Sequence, residues 1–255
     1  MRALITGVMG FAGSHLAEHL LRCGDEILGS SRSGNWPHDM PADVSAAVEV
    51  LRWDVTQAVP PDVRRRIQRF QPQCIYHLAA ISVPADCGRH DPTATALATN
   101  VAGTRSLLEL AASLPLQPRV LLASSCYVYR PVTFDEPIVN EHAALAPTSA
   151  YGKTKLAAED ELRTAWQQSK LDGVIARAFQ HAGPRQSPRM ILPDWAEQFA
   201  KDGNEPVRVQ CMDTFLDLTD VRDIVRAYRD LVLHGTRGQV YNVGSGICRR
   251  SGDVF

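Results

Sequence analysis

The chain has 255 residues, 45% of them hydrophobic and 22% charged, with a formal net charge of −1 at pH 7. That is an ordinary globular composition, long enough to bury a sizeable core in one α/β domain with at most a small appended lobe. The charge balance gives no reason to expect nucleic acid or an anionic membrane as partner, and no apolar run approaches the roughly 20 residues that span a bilayer.

Residues 2–6 read as a short buried strand, too short for a secretion signal. Residues 7–13 form a glycine-rich turn, and 14–22 carry Leu16 and Leu20 at helical spacing before Gly24. The pattern then predicts strand 26–30, loop 31–43, strand 48–53, a basic-faced helix 62–70 and strand 73–78. A long helix is predicted over 91–114, a strand over 119–124, a helix over 149–169 and a strand over 173–178. Helices at 191–201 and 220–233 and strands at 207–210 and 239–243 complete the pattern. Strands that alternate with helices imply an α/β fold with a doubly wound, Rossmann-like parallel sheet. Residues 1–175 are expected to form the nucleotide-binding domain. Residues 176–255 would form a partial substrate-binding lobe interleaved with the last strands. Residues 251–255 resemble an N-cap and one helical turn, which is not stable alone, so a C-terminal segment of that lobe is expected to be missing. Cys23, Cys74, Cys87, Cys126, Cys211 and Cys248 form no C-x-x-C pair. That fits reduced thiols in a cytoplasmic protein and no metal site.

Four features carry chemistry. In Thr6-Gly7-Val8-Met9-Gly10-Phe11-Ala12-Gly13, Gly7 permits a tight turn, Gly10 lets backbone approach a pyrophosphate and Gly13 lets helix and strand pack closely. Phe11 and Ala12 open the helix whose free N–H groups would face the phosphates; a plain turn is the alternative. After strand two, Gly29-Ser30-Ser31-Arg32-Ser33 lacks the acid that accepts from a ribose 2′-hydroxyl. Ser31 and Arg32 suit a 2′-phosphate, hence NADP(H), unless Arg32 is only a solvated loop cation. Tyr151 and Lys155 stand four residues apart and share a helix face. The ammonium is expected to lower the phenol's pKa and make Tyr151 a usable acid or base, although alone the pair is also an ordinary helix surface. Ser125 stands at the carboxyl end of strand five, where open α/β sheets bind ligands; a turn serine is the alternative.

Taken together these residues resemble the extended short-chain dehydrogenase/reductase family over the whole chain. Further matches are His77-Leu78-Ala79-Ala80, Asn100-Val101-x-Gly103-Thr104, Gly183-Pro184 and Thr219-Asp220-Val221-x-Asp223. Asp54-Val55 match the place where that family holds the adenine. Within it, the wording near both ends is most similar to the GDP-4-keto-6-deoxy-mannose reductases. The resemblance implies reduction of a nucleotide-sugar carbonyl with NADP(H), Ser125 and Tyr151 on the substrate oxygen and Lys155 on the nicotinamide ribose. It places Leu78, Ala79, Ala80, Thr99, Phe179 and His181 around the cofactor, and Ser82, Gln180 and Arg185 on the substrate. It also implies a homodimer through helices 91–114 and 149–169, whose Leu107, Leu108, Leu110, Leu156 and Leu162 exceed one apolar stripe.

The departures are specific. Tyr127 stands where the family's 4,6-dehydratases carry a Glu, which argues against dehydration. Gln180 replaces a substrate-contacting Asn, Leu216 a diphosphate-binding Arg, and Arg130 a Gly. His181 is a candidate second acid, Arg189 a candidate anion contact, and His77 reads as a packed structural histidine. Two alternatives stay open. One is a sugar or uronate dehydrogenase or epimerase whose substrate lacks a diphosphate. The other is a non-catalytic NADP-binding regulator.

Overall fold

A strand that is apolar on both faces has to sit in the middle of a sheet covered on both sides. β1 (Arg2–Thr6) is such a strand, buried from Ala3 to Thr6. In the computed structural model, which describes residues 1–33, 36–37, 39–132, 138–201, 206–209 and 212–254, β1 pairs in parallel with two neighbours. They are β2 (Glu26–Ser31) and β4 (Cys74–His77). β3 (Glu49–Arg52) extends the sheet beyond β2. β5 (Arg119–Ser125), β6 (Gly173–Ala178) and β9 (Val240–Val243) extend it beyond β4, all parallel. The order β3-β2-β1-β4-β5-β6-β9 reverses direction between β1 and β4. That is the switch point beyond whose strand ends ligands bind.

Successive side chains of one strand feed opposite layers, as a period of two requires. Ala3 and Ile5 join a core with Leu16 and Leu20 of α1 (Phe11–Arg22) and Ile224, Val225 and Tyr228 of α8 (Val221–His234). Leu4 joins the other core, with Ile67 of α3 (Pro61–Phe70), Leu107 of α5 (Gly103–Ser113) and Leu162 of α6 (Ala150–Ser169). The doubly wound Rossmann-like sheet is therefore as the alternation of elements implied. Leu107, Leu108, Leu110 and Leu162 belong to the chain's own second core, and Leu156 lies half-buried outside it.

The predicted long helix starts at α4 (Ala94–Leu97), later than residue 91, because Thr93 caps it by accepting from the Ala96 N–H at 3.1 Å. It passes through a π-helical segment, Ala98–Ala102, before α5. α2 (Ala42–Ala47) lies in a stretch read partly as loop; its six residues are too few to show a period. A second sheet, unforeseen in its strands, combines β7 (Gln180–Ala182), β8 (Phe215–Asp220) and β10 (Cys248–Arg250) in the order β10-β8-β7. β8 replaces the strand expected over 207–210, where residues 207–209 are irregular and Gln210 lies outside the described residues. α7 (Ile191–Ala200) and the single turn α9 (Ser251–Val254) complete the chain. Cys23, Cys74, Cys87, Cys126 and Cys248 are free thiols; Cys211 lies outside the described residues. Among the described residues no helix is long and apolar enough to cross a membrane.

His77, at the carboxyl end of β4, ties the sheet to α5. Its Nδ1 lies 2.7 Å from the Thr6 hydroxyl and its Nε2 3.0 Å from that of Thr104. Burial, aided by the nearby charge of Lys155, pulls its pKa from 6.5 to about 3. Between those values the unfolded chain binds the extra proton, so stability falls as pH drops below 6.5. The single histidine should contribute a slope of up to about 1.4 kcal/mol per pH unit in this window. Urea unfolding of wild type and His77→Gln from pH 7 to pH 4 checks it: the variant should lose that part of the acid sensitivity.

Candidate active site

The carboxyl ends of β1, β2, β4, β5 and β6 open into one cleft of about 530 Å³, within the range of ligand sites. Its first wall is the β1–α1 turn. Gly7 has φ +71°, and a Cβ there would lie 2.8 Å from the Ala79 nitrogen. A Cβ on Gly13 would collide with the Gly7 carbonyl oxygen. Both positions therefore need glycine to keep the turn close to the sheet. α1 has no side-chain cap and no acid in its first turn. Its leading N–H groups, at Phe11, Ala12 and Gly13, are left for an anion, with the positive end of the helix dipole behind them. The Phe11 ring stacks on His181, with centroids 5.8 Å apart.

Ser31 and Arg32 line the neighbouring strand end, followed by Asp54 and Val55. Asp54 Oδ1 accepts from the Thr56 N–H at 2.9 Å and the Thr56 hydroxyl at 2.8 Å. The Thr56 N–H first of all, then its hydroxyl and the Arg32 charge, hold the carboxyl below its usual range. Leu78, Ala79, Ala80, Ser82 and Thr99 form the floor.

At the other end stand Ser125, Tyr151 and Lys155. Ser149 caps α6 by accepting from the Gly152 N–H at 3.1 Å, which fixes the first turn carrying Tyr151. Lys155 Nζ donates to the Ala123 carbonyl at 2.9 Å and lies 5.8 Å from the Tyr151 ring centre. Burial pushes the Tyr151 phenol up, against a hydrogen bond with Ser125. Burial also pulls Lys155 from 10.5 down to about 8. The expectation that the ammonium lowers the tyrosine is thus corrected: desolvation outweighs it, and Tyr151 is held as a neutral phenol.

Phe179, just before the second sheet, and Gln180 and His181 of β7 close the cleft. His181 Nδ1 is 2.9 Å from the Phe179 carbonyl and so carries the proton it donates there. Burial keeps the ring neutral. It is not the second acid considered from the sequence. Tyr127 is 42% exposed and stands beside Tyr151, their rings edge to face at 5.8 Å.

One expected substrate residue is not brought in. Arg185 is absent from the described cleft lining. Its guanidinium is turned back onto α1, donating to Glu18 at 2.8 Å and lying 2.6 Å from His15 Nδ1, where a carboxylate and a ring nitrogen compete successfully with water. Arg189 is likewise engaged, in a bidentate pair with Asp86 at 2.8 and 2.7 Å. Leu216 sits in a small apolar recess with Ile191, Leu192 and Trp195. Gln186, Ser187, Met190 and Tyr228 line the cleft although no motif pointed to them. They belong to a loop and a helix whose approach to the site exists only after folding.

The family model described as the NAD dependent epimerase/dehydratase family matches residues 3–244. The chain is 30% identical to a GDP-6-deoxy-D-mannose reductase of Pseudomonas aeruginosa, over 96% of this chain and 75% of that protein. It is also 30% identical to a UDP-glucose 4-epimerase of Mycolicibacterium smegmatis, over 97% and 78%. Among solved structures it is similar to a UDP-glucose 4-epimerase of Thermus thermophilus in complex with NAD, with TM-score 0.84 and 28% identity over 100% of this chain and 81% of that one. A putative epimerase from Burkholderia cenocepacia gives TM-score 0.84 and 31% identity, over 99% and 78%.

The two ends of the cleft should fail separately. Tyr151→Phe should lower turnover about 10²–10⁴-fold, the usual loss for one acid/base, and leave dinucleotide binding unchanged. Gly13→Ala should abolish dinucleotide binding. Fluorescence titration with the reduced dinucleotide, run beside steady-state kinetics, separates the two outcomes.

Proposed function

We propose, from the premise that this chain belongs to the NAD dependent epimerase/dehydratase family, that it reduces a ring ketone of a nucleotide sugar with NADP(H). One observation carries the reading. The cleft's catalytic end offers Ser125, Tyr127, Tyr151 and Lys155 but no carboxylate. Asp54 is the one acid among the described lining residues, and it follows β3, four strands away from β5. Elimination of water needs a carboxylate beside the sugar; reduction needs a hydride and a neutral proton donor.

The residues fit a dinucleotide, since the cradle at Gly7 and Gly13 admits no side chain. The α1 N-terminus would hold the pyrophosphate, Ser31 and Arg32 the 2′-phosphate, Asp54 and Val55 the adenine, and Lys155 the nicotinamide ribose. The bound cofactor supplies the hydride. Ser125 and Tyr151 donate hydrogen bonds to the ketone oxygen, and Tyr151 passes its proton to that oxygen as negative charge builds on it. The Lys155 ammonium then stabilises the phenolate. The reductase relative from Pseudomonas aeruginosa supports this direction.

A second reading, epimerisation or oxidation of a sugar without a diphosphate, is favoured by Leu216. That side chain is apolar and tucked among Ile191, Leu192 and Trp195, and Arg32 is the one arginine among the described cleft-lining residues. Following NADPH oxidation with a GDP-4-keto-6-deoxy sugar, against dinucleotide-dependent oxidation or epimerisation of a panel of free sugars and uronates, separates the two readings.

NADP(H) should bind more tightly than NAD(H). A charge-assisted contact from Arg32 to the 2′-phosphate is worth about 1.5–3 kcal/mol, roughly ten- to hundredfold in affinity. Arg32→Ala should erase the preference by weakening NADPH alone. Calorimetric titration of both cofactors checks this, and equal wild-type affinities would overturn the assignment.

A further inference from the structure

Behind the catalytic set lies a buried ion pair that no step above uses. Glu159 is 0% and Arg177 1% exposed. Arg177 Nε donates to Glu159 Oε1 at 2.9 Å and Nη2 to Oε2 at 2.7 Å. Arg163 adds a bond to Oε2 at 2.7 Å, and the Ser124 hydroxyl donates to Oε1 at 2.5 Å. Arg177 and Ser124 are direct partners in the β5–β6 register. Stability is a weak reason for such a pair, because well-packed apolar residues often replace one without loss.

What the pair touches is more informative. The last three residues of β5 each engage a different turn of α6. The Ala123 carbonyl accepts from Lys155, Ser124 donates to Glu159, and Ser125 is hydrogen-bonded with Tyr151. Positions 151, 155 and 159 are four apart and share one helix face. Arg177 continues the network to the Tyr129 hydroxyl at 2.9 Å and the Glu141 carbonyl at 3.3 Å, which anchors the connection between β5 and α6.

We propose that Glu159 and Arg177 are positioning residues for the catalytic set. Through Ser124 they hold the end of β5 in register with Tyr151 and Lys155, and Glu159 sets a fixed negative charge one helical turn behind the Lys155 ammonium. The proposal rests on the roles given above to Tyr151 and Lys155. The groups that face Lys155 are Tyr151 and Glu159 on α6, His77 on β4 and Cys87 in the Pro84–Cys87 turn. Burial pushes the Cys87 thiol and the Tyr151 phenol up and keeps His77 neutral. Cys87 first and then Glu159 act against the burial of Lys155, and Glu159 is the carboxylate of the two.

The test is the double variant Glu159→Leu/Arg177→Met, which removes both charges at similar volume. It should unfold cooperatively and bind NADPH as the wild type does. Its kcat should fall at least about tenfold with KM little changed, because only geometry and charge at the reacting oxygen are altered. Because the Glu159 charge is lost together with the opposite and more distant charge of Arg177, the basic limb of its pH profile should move down by a fraction of the roughly one pH unit that one charge a helical turn away would give at an effective dielectric near 20. Titrating ¹³C-lysine-labelled protein by NMR reads Lys155 against Lys153, Lys170 and Lys201 without any substrate. A wild type inactive on keto sugars would sink the proposed reaction, yet the NMR comparison would still decide the present point. An unchanged Lys155 titration in the folded double variant overturns the proposal. If that variant does not fold, Ser124→Ala decides it: a reduced kcat in a stable protein upholds the strand-register role, and an unchanged kcat rejects it.

Discussion

A parallel sheet has no face that can be left in water. Its strands are joined by crossover helices, so both faces of β1, β4, β5 and β6 are sealed, and reactive side chains can meet a ligand only at the carboxyl ends. The chain obeys this closely. Thr6, His77, Ser125 and Ala178 end their strands one beside the next, and the residues immediately after them line the cleft. The same crossover geometry aims the first turn of α1, with its free N–H groups, at the same opening. An anion-binding end and a proton-donating end are thus consequences of one topology.

Sealing the sheet has an electrostatic consequence. Tyr151 and Lys155 stand on the first turns of α6, close against β5, where little water reaches them. Desolvation disfavours charge on either group, so the phenol is held neutral and the ammonium is weakened to about 8. A neutral donor next to a cation of near-neutral pKa is suited to releasing a proton only when negative charge develops on the bound oxygen. Low dielectric also makes every unpaired group costly. That explains why Glu159 has four donors converging on its two oxygens.

Long-period features were legible in the amino-acid sequence. The glycine turn, the strand-helix alternation and the Tyr151/Lys155 spacing each follow from a local rule, and the elements of the large sheet up to β6 appear within a few residues of their expected places. The second sheet was not legible. β7 and β10 have three residues each, too few to display alternation, and β8 is recognised only through its partners on both sides. Arg185 was misplaced for a related reason: its partners Glu18 and His15 lie far away in sequence, so nothing local shows that it is already engaged. The tyrosine's direction of shift was misjudged because spacing reveals the nearby cation but not the depth of burial, and burial is the larger effect.

Fold and cofactor cradle leave the reaction undetermined, since relatives of similar identity include a reductase and an epimerase. Only side chains that differ at the site can decide it. Tyr127 is the most consequential of these. It lines the cleft edge to face with Tyr151, where a carboxylate would have offered a second proton acceptor. A phenol whose pKa burial raises cannot take a proton from carbon near neutral pH. It can offer an apolar face and a hydrogen bond, and it is already bonded to Gln180. The Tyr127–Gln180 contact joins two of the departures from the family pattern into one surface. At this end of the cleft the described lining consists of rings, hydroxyls and an amide around the Lys155 ammonium, with no carboxylate among them.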